Sequence, residues 1–350
     1  MAYHFKLKHH LAALSFALAL GHCASAGADV RQVHLPYANG SVNVYVEARQ
    51  CVLTIDGLMD RASVKAITDG FRQLKPSECT ERIVVLNSPG GVPAIAYAIA
   101  DLVRRFNFDT EVASRGLCAS SCTYLFLGGR RRFVDQQSRI GIHQHSRDGA
   151  CSATFTDVEE QRLRKLVDPA MTPANVNKLI ELILSIDCKE MAFLSPEVLS
   201  QLTITNAAQS RISNAIRSAI EARTMQDIAD LRATARGPWV RAAGNATLTV
   251  FTRPAAGPVA GGKPAIWGLV NHTTDHMHPQ AAENYRSYEE LNEADCENRT
   301  LAVILGVHTS EAMGEGRIIW KTGRLSPNPV KPNTPAAVYF RIACGQAVPG

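Results

Sequence analysis

One repeated pattern limits what this chain can fold into. A β-branched apolar run stops at a small-residue turn, and a helical periodicity follows. The clearest case is ERIVVLNSPGG followed by VPAIAYAIADLVRRF, where Ile95, Ile99, Leu102 and Phe106 share one helical face. Upstream, SVNVYVEARQCVLTIDGLMD alternates at Val42, Val44 and Val46 and then runs apolar, which predicts two short strands. Asp60 is placed to cap a helix over about 61–73. Downstream, DTEVASRG reads as a strand, ASSCTYLFLGG as a helix, and RRFVD and SRIGIH as short strands. Strand and helix alternate throughout, so the expected fold class is α/β with a largely parallel sheet.

The segment 156–201 reads as mainly helical, and 207–233 as a polar helix carrying Ile212, Ile216, Ile220, Ile228 and Leu231. After ARGPW the composition shifts to Gly, Pro and β-branched residues. Short strands separated by turn signals then continue to Cys344, which predicts a separate, small, mainly-β domain over 237–350.

Residues 1–26 read as an export signal. Lys6 and Lys8 precede the apolar run LAALSFALAL, and Ala24-Ser25-Ala26 offers a cleavage site. Ten apolar residues are too few to span a bilayer, so the expected product is periplasmic or secreted. Cleavage near Ala26 removes Cys23 and leaves eight cysteines, an even number that suits disulfides in an oxidising compartment. It also lowers the basic residues from 37 to 35 against 32 acidic ones, a net charge of about +3. That is too weak and dispersed for nucleic acid to be a partner.

The chemistry centres on GLCASSCT, 116–123. Ser120 lies at a strand-to-helix turn, where the unpaired amides of a first helical turn and the positive end of the helix dipole can hold an oxyanion. An isolated serine there is equally a helix cap. The LNSPGG turn adds Gly90 and Gly91 at the C-terminal end of a strand, where α/β sheets place ligands. His143 ends a strand in SRIGIHQHS, and Asp187 lies in SIDCKEMAFLSPE. A base and a carboxylate that fixes the imidazole tautomer are the two partners a nucleophilic serine needs.

In this order, LNSPGG, GLCASSCTYLFLGG, RRFVDQQSRIGIH and DCKEMAFLSPE resemble the ClpP family of serine peptidases within the ClpP/crotonase superfamily. They are closest in character to exported ClpP-like proteins with a C-A-S-x-C-T box, and the resemblance spans 41–206. It implies a spiral of βαβ units after an N-terminal segment at 27–40, and a homo-oligomer acting on peptide or protein substrates. It also implies Ser120 as nucleophile, His143 as general base and Asp187, six residues before Phe193, as orienting carboxylate. The amides of Gly91 and Ser121 would form the oxyanion hole. The chain departs from the family at LTIT, 202–205. An exported protein has no ATP-driven unfoldase beside it, and no cofactor is expected. A catalytically silent scaffold with a binding role in the cell envelope is the alternative. A crotonase-type acyl-CoA enzyme is disfavoured, because that cofactor is cytosolic.

Cys118 and Cys122 flank Ser120, and with His143 and His145 they form a nominal zinc set. An oxidising compartment favours disulfides instead, so no metal is expected. Cys51 and Cys79 stand at or just before the starts of two strands that would be neighbours if parallel, and could pair. Cys118–Cys122 and Cys151–Cys188 would brace the active site, and the swapped pairing of those four stays open.

The C-terminal segment resembles surface-adhesin protein E through Tyr285, Tyr288, Asp295, Cys296, Arg299 and a late Cys344. That resemblance implies a Cys296–Cys344 bridge and an envelope or surface component as partner. His272, His276 and His278 form H-x3-H-x-H; flanking Asn271, Thr273, Thr274 and Pro279 favour a solvated loop there.

Overall fold

A computed structural model describes residues 30–347 apart from 76, 148, 149, 153, 168–170, 258–261, 279, 280, 282 and 326. The proposed export signal lies outside the described residues. Among the described residues, no helix is long and apolar enough to cross a membrane.

The N-terminal half is mixed α/β. It runs β1 Arg31–Tyr37, β2 Gly40–Glu47, β3 Gln50–Gly57, α1 Ser63–Gln73, β4 Glu81–Asn87, α2 Pro93–Arg105, β5 Asp109–Val112, β6 Leu117–Ala119, α3 Ser121–Leu127, β7 Arg132–Phe133 and β8 Arg139–Ile142. A short hairpin follows, β9 His145–Arg147 with β10 Ala150–Ser152. Then come α4 Asp157–Val167, α5 Pro173–Ser185, β11 Ala192–Phe193, α6 Pro196–Gln201 and α7 Asn214–Arg232. The main sheet has the order β1-β2-β3-β4-β5-β7. Its β3, β4, β5 and β7 are mutually parallel, while β1 and β2 pair antiparallel on the β3 edge. Only the part built from strand–helix alternation is therefore parallel; the hairpin segment, with its short turns, is antiparallel.

β3 and β4 read as continuous apolar runs because both their faces are covered. On one face Leu53, Ile55, Val84 and Leu86 meet Ile67, Ile99, Ala100 and Val103 of α1 and α2. On the other, Tyr45, Val52, Ile83 and Val85 meet Ile212, Ile216 and Ile220. Asp60 holds the turn that leads into α1: its Oδ1 accepts from the amides of Ala62 and Ser63 at 2.9 and 3.1 Å.

A second, three-stranded sheet positions the site. β6 and β8 are parallel, with Ala119 opposite Gly141, and β11 runs antiparallel to β8 with Phe193 opposite Gly141. A single parallel bridge, Ser88 to Cys118, joins the end of β4 to β6.

The C-terminal half is an antiparallel sheet ordered β12 Val240–Gly244, β13 Leu248–Pro254, β14 Ala265–Met277, β15 Asn284–Asp295, β16 Thr300–Thr309 and β17 Ile318–Thr322. Two expectations are corrected here. The strands are not short: β14 and β15 have 13 and 12 residues. The His272 to His278 region is not a loop either, since His272 and His276 lie within β14. The polar residues that argued for a loop sit at a bulge between Asn271 and His276, where the strand continues around an irregularity. The helix α8 Pro335–Ala343, which strand patterning did not suggest, is capped by Thr334 and lays Tyr339 over Gly268. A β-carbon at Gly268 would fall 2.1 Å from the Tyr339 ring, so glycine makes that contact possible.

Helix α7 joins the halves. Its first turns pack Ile216 on the N-terminal sheet, and its last turns pack Ile228 and Leu231 against Trp267 and Leu291 of the C-terminal one. A single apolar stripe cannot serve two sheets on different sides, which explains why the isoleucines are scattered along this helix.

Candidate active site

The strand ends place Ser120 and His143 on neighbouring strands of the three-stranded sheet. Ala119 is level with Gly141, and Ser120 follows at once, its amide donating to the Gly141 carbonyl at 2.9 Å. His143 lies two residues beyond Gly141, at the end of the neighbouring parallel strand. Ser120 itself has φ 55° and ψ −128°, left-handed backbone that a residue with a β-carbon adopts only under local constraint. The constraint is visible on both sides: β6 ends at Ala119, and α3 begins at Ser121.

The SPGG turn packs directly on this elbow. The Ser88 amide donates to the Leu117 carbonyl at 2.6 Å, and the Ala119 amide donates back to Ser88 at 3.0 Å. Gly90, at φ 100°, comes so close that a β-carbon there would lie 2.8 Å from Ser120 Cβ and 3.0 Å from the Ser121 nitrogen. The amides of Gly91 and Ser121 donate to no protein group among the described residues, so both are free to meet a negative charge. Gly91 is fixed through its neighbours, because Met59 donates to Gly90 and Val92 donates to Met59, each at 2.8 Å. The hydroxyl of Ser121 is buried without a partner, consistent with its backbone being the useful part.

His143 is half-buried, and burial lowers its pKa, with the Cys188 carbonyl and the Asp187 charge pulling the other way. Its Nδ1 bonds the Cys188 carbonyl at 2.9 Å. A carbonyl only accepts, so Nδ1 carries the proton and Nε2 keeps a free lone pair, the tautomer of a general base. Asp187 is adjacent but does not make this bond. It is exposed, and its Oδ1 accepts from the Lys189 amide at 2.8 Å. The orienting contact expected of a carboxylate is thus made by a main-chain carbonyl one residue later, a substitution no residue-type pattern could reveal. Continuing the β11–β8 register places Met191, not a carboxylate, opposite His143, and the Met191 side chain lies over Gly141. No hydrogen bond joins Ser120 Oγ to His143.

All four disulfides pair as expected: Cys51–Cys79, Cys118–Cys122, Cys151–Cys188 and Cys296–Cys344. Cys118–Cys122 straddles Ser120, and Cys151–Cys188 ties the hairpin after His143 to the residue whose carbonyl holds its ring. The sulfurs of the nominal zinc set are therefore not thiolates. His145 is engaged as well, with Nε2 2.6 Å from the Tyr124 hydroxyl and Nδ1 3.2 Å from Glu159. Cys151, Asp187 and Cys188 also bring ligand-type atoms together, but again as a disulfide, which offers a metal little.

Comparison with known sequences agrees with this layout. Residues 41–171 match the family model Clp protease, and residues 239–345 match the model Surface-adhesin protein E. The chain joins a Clp protease domain to an adhesin-E domain. Relatives of the Clp domain include ATP-dependent Clp protease proteolytic subunit 1 of Chlamydia abortus, 32% identical over 101 residues, which cover 27% of this chain and 53% of that protein. The subunit 1 of Protochlamydia amoebophila is 36% identical over 81 residues, 23% of this chain and 39% of that one. The proteolytic subunit of Carsonella ruddii is 27% identical over 113 residues, 32% of this chain and 57% of its own length. The chain thus spans about half the length of the first curated relatives it matches. The matched Clp segment contains Gly91, Ser120, Ser121 and His143 but ends before Asp187, where the geometry also departs from expectation.

Proposed function

We propose that this protein is an exported serine endopeptidase. The observation that carries the reading is Ser120 held in left-handed backbone between β6 and α3, against the SPGG turn and beside the strand that leads directly into His143. In this mechanism the Ser120 hydroxyl attacks a peptide carbonyl while His143 Nε2 takes its proton. The tetrahedral oxyanion is received by the amides of Gly91 and Ser121. Protonated His143 then gives its proton to the leaving amine, and water, deprotonated by the same nitrogen, hydrolyses the acyl-enzyme. Asp187 acts as a nearby charge that stabilises the imidazolium, while the Cys188 carbonyl holds the ring. The Clp domain would act as a homo-oligomer on peptide or protein substrates, and the adhesin-E domain would hold it to an envelope or surface component.

A fluorophosphonate probe tests this. Labelling of the wild-type chain that disappears in Ser120→Ala is the expected result; no labelling of the folded wild type overturns it. A second reading, a silent scaffold whose adhesin-E domain does the binding, draws support from the missing Ser120–His143 hydrogen bond, though such bonds often tighten only with substrate. The same probe separates the two.

A further inference from the structure

The H-x3-H pair of the adhesin-E domain is built into a shape that a regular strand cannot give. Residues four apart on a strand lie about 13 Å from each other, yet the rings of His272 and His276 are 4.0 Å apart. The cause is the bulge of β14, where Asn271 pairs with Ser287 and His276 already pairs with Tyr285. Several residues of β14 are taken up opposite a single position of β15, which brings the two imidazoles into contact, tilted 41° to one another. A bulge re-aims side chains in this way.

The surroundings point to a ligand. Both ring nitrogens of His272 are shut off from solvent, and neither has a hydrogen-bond partner among the described residues. Burying such a group unpaired is costly. Tyr285 and Tyr288 wall the ring at 5.4 and 6.0 Å between centroids, but offer it aromatic contact rather than a hydrogen bond. Arg286 is paired with Asp275 on the bulge at 3.3 Å. His276 is half-buried, and no hydrogen bond fixes its ring among the described residues.

We infer that His272 and His276 form a chelating pair for a divalent transition-metal ion of the imidazole-preferring class, Zn2+ or Cu2+. His278, the third member of the sequence motif, is not part of it. Its Nδ1 accepts from the Ala281 amide at 3.1 Å, and its ring stacks on Trp320 at 5.1 Å.

The test is calorimetric titration of Zn2+ and Cu2+ into the tag-free chain from residue 27, whose eight cysteines are all in disulfides. The expected result is one equivalent bound. Affinity should fall at least about tenfold in His272→Ala and in His276→Asn and be unchanged in His34→Ala on distant β1. No uptake by the folded wild type, uptake that survives both substitutions, or an equal loss in His34→Ala overturns the inference. Should His272→Ala fail to fold, His276→Asn, at the half-exposed ring, decides alone.

Discussion

At the scale of single residues, the site depends on two backbone facts. Gly90 leaves room for the Ser120 elbow, and its own φ of 100° is one that a larger residue resists. Gly90→Ala is expected to abolish fluorophosphonate labelling while costing about 1–3 kcal/mol of stability; thermal unfolding measured beside the labelling would separate the two effects. The other fact is the Cys188 carbonyl on His143 Nδ1. Because burial lowers the His143 pKa from the ordinary 6.5, the ring stays neutral, and able to accept a proton, below that pH. The acid limb of kcat/KM should therefore fall below pH 6.5. An acid limb at or above 6.5 would show that burial does not dominate the titration of His143.

At the scale of elements, the disulfides divide by what they fix. Cys51–Cys79 joins the starts of parallel β3 and β4, far from Ser120, and closes 28 residues. Its removal should cost about 3–4 kcal/mol yet leave folded protein still able to label. Cys151–Cys188 holds the carbonyl that orients His143. The paired Cys151→Ser, Cys188→Ser variant should keep most secondary structure by circular dichroism but lose hydrolysis more than about tenfold through kcat, since a mis-aimed base affects the chemical step more than binding. Equal effects of the two removals on kcat would show that the second bridge has only a structural role.

At the scale of the whole molecule, the two domains are docked rather than strung apart. Lys321 of β17 pairs with Asp56 at the end of β3 at 3.1 Å, and Arg115 pairs with Glu283 at 3.1 Å. With α7 on both sheets, these contacts border an open cleft of about 540 Å³ lined in part by Asp56, Glu111, Arg217 and Lys321. Both Lys321 and Asp56 are largely shielded from solvent, so removing either partner leaves a poorly solvated charge. Each single alanine variant should cost about 1–3 kcal/mol, and a double-mutant cycle should return a coupling near 1 kcal/mol. Additive losses would mean that the pair does not couple the domains.

The sequence alone determined the strand–helix alternation, the Ser120 and SPGG turns, an even set of cysteines fit for disulfides and the change of composition near 237. Each of these is written in local periodicity, turn chemistry or a short list of cysteines. It did not show that a carbonyl rather than Asp187 meets His143, because main-chain groups are the same at every position and only folding chooses which one faces the ring. Nor did it show that His272 and His276 meet, because Asn271, Thr273 and Thr274 favour a turn locally, and pairing with β13 and β15 draws that turn into a strand as a bulge. Both outcomes depend on residues distant in the chain. Local sequence sets what a segment prefers; which atoms finally touch is decided by the elements packed around it.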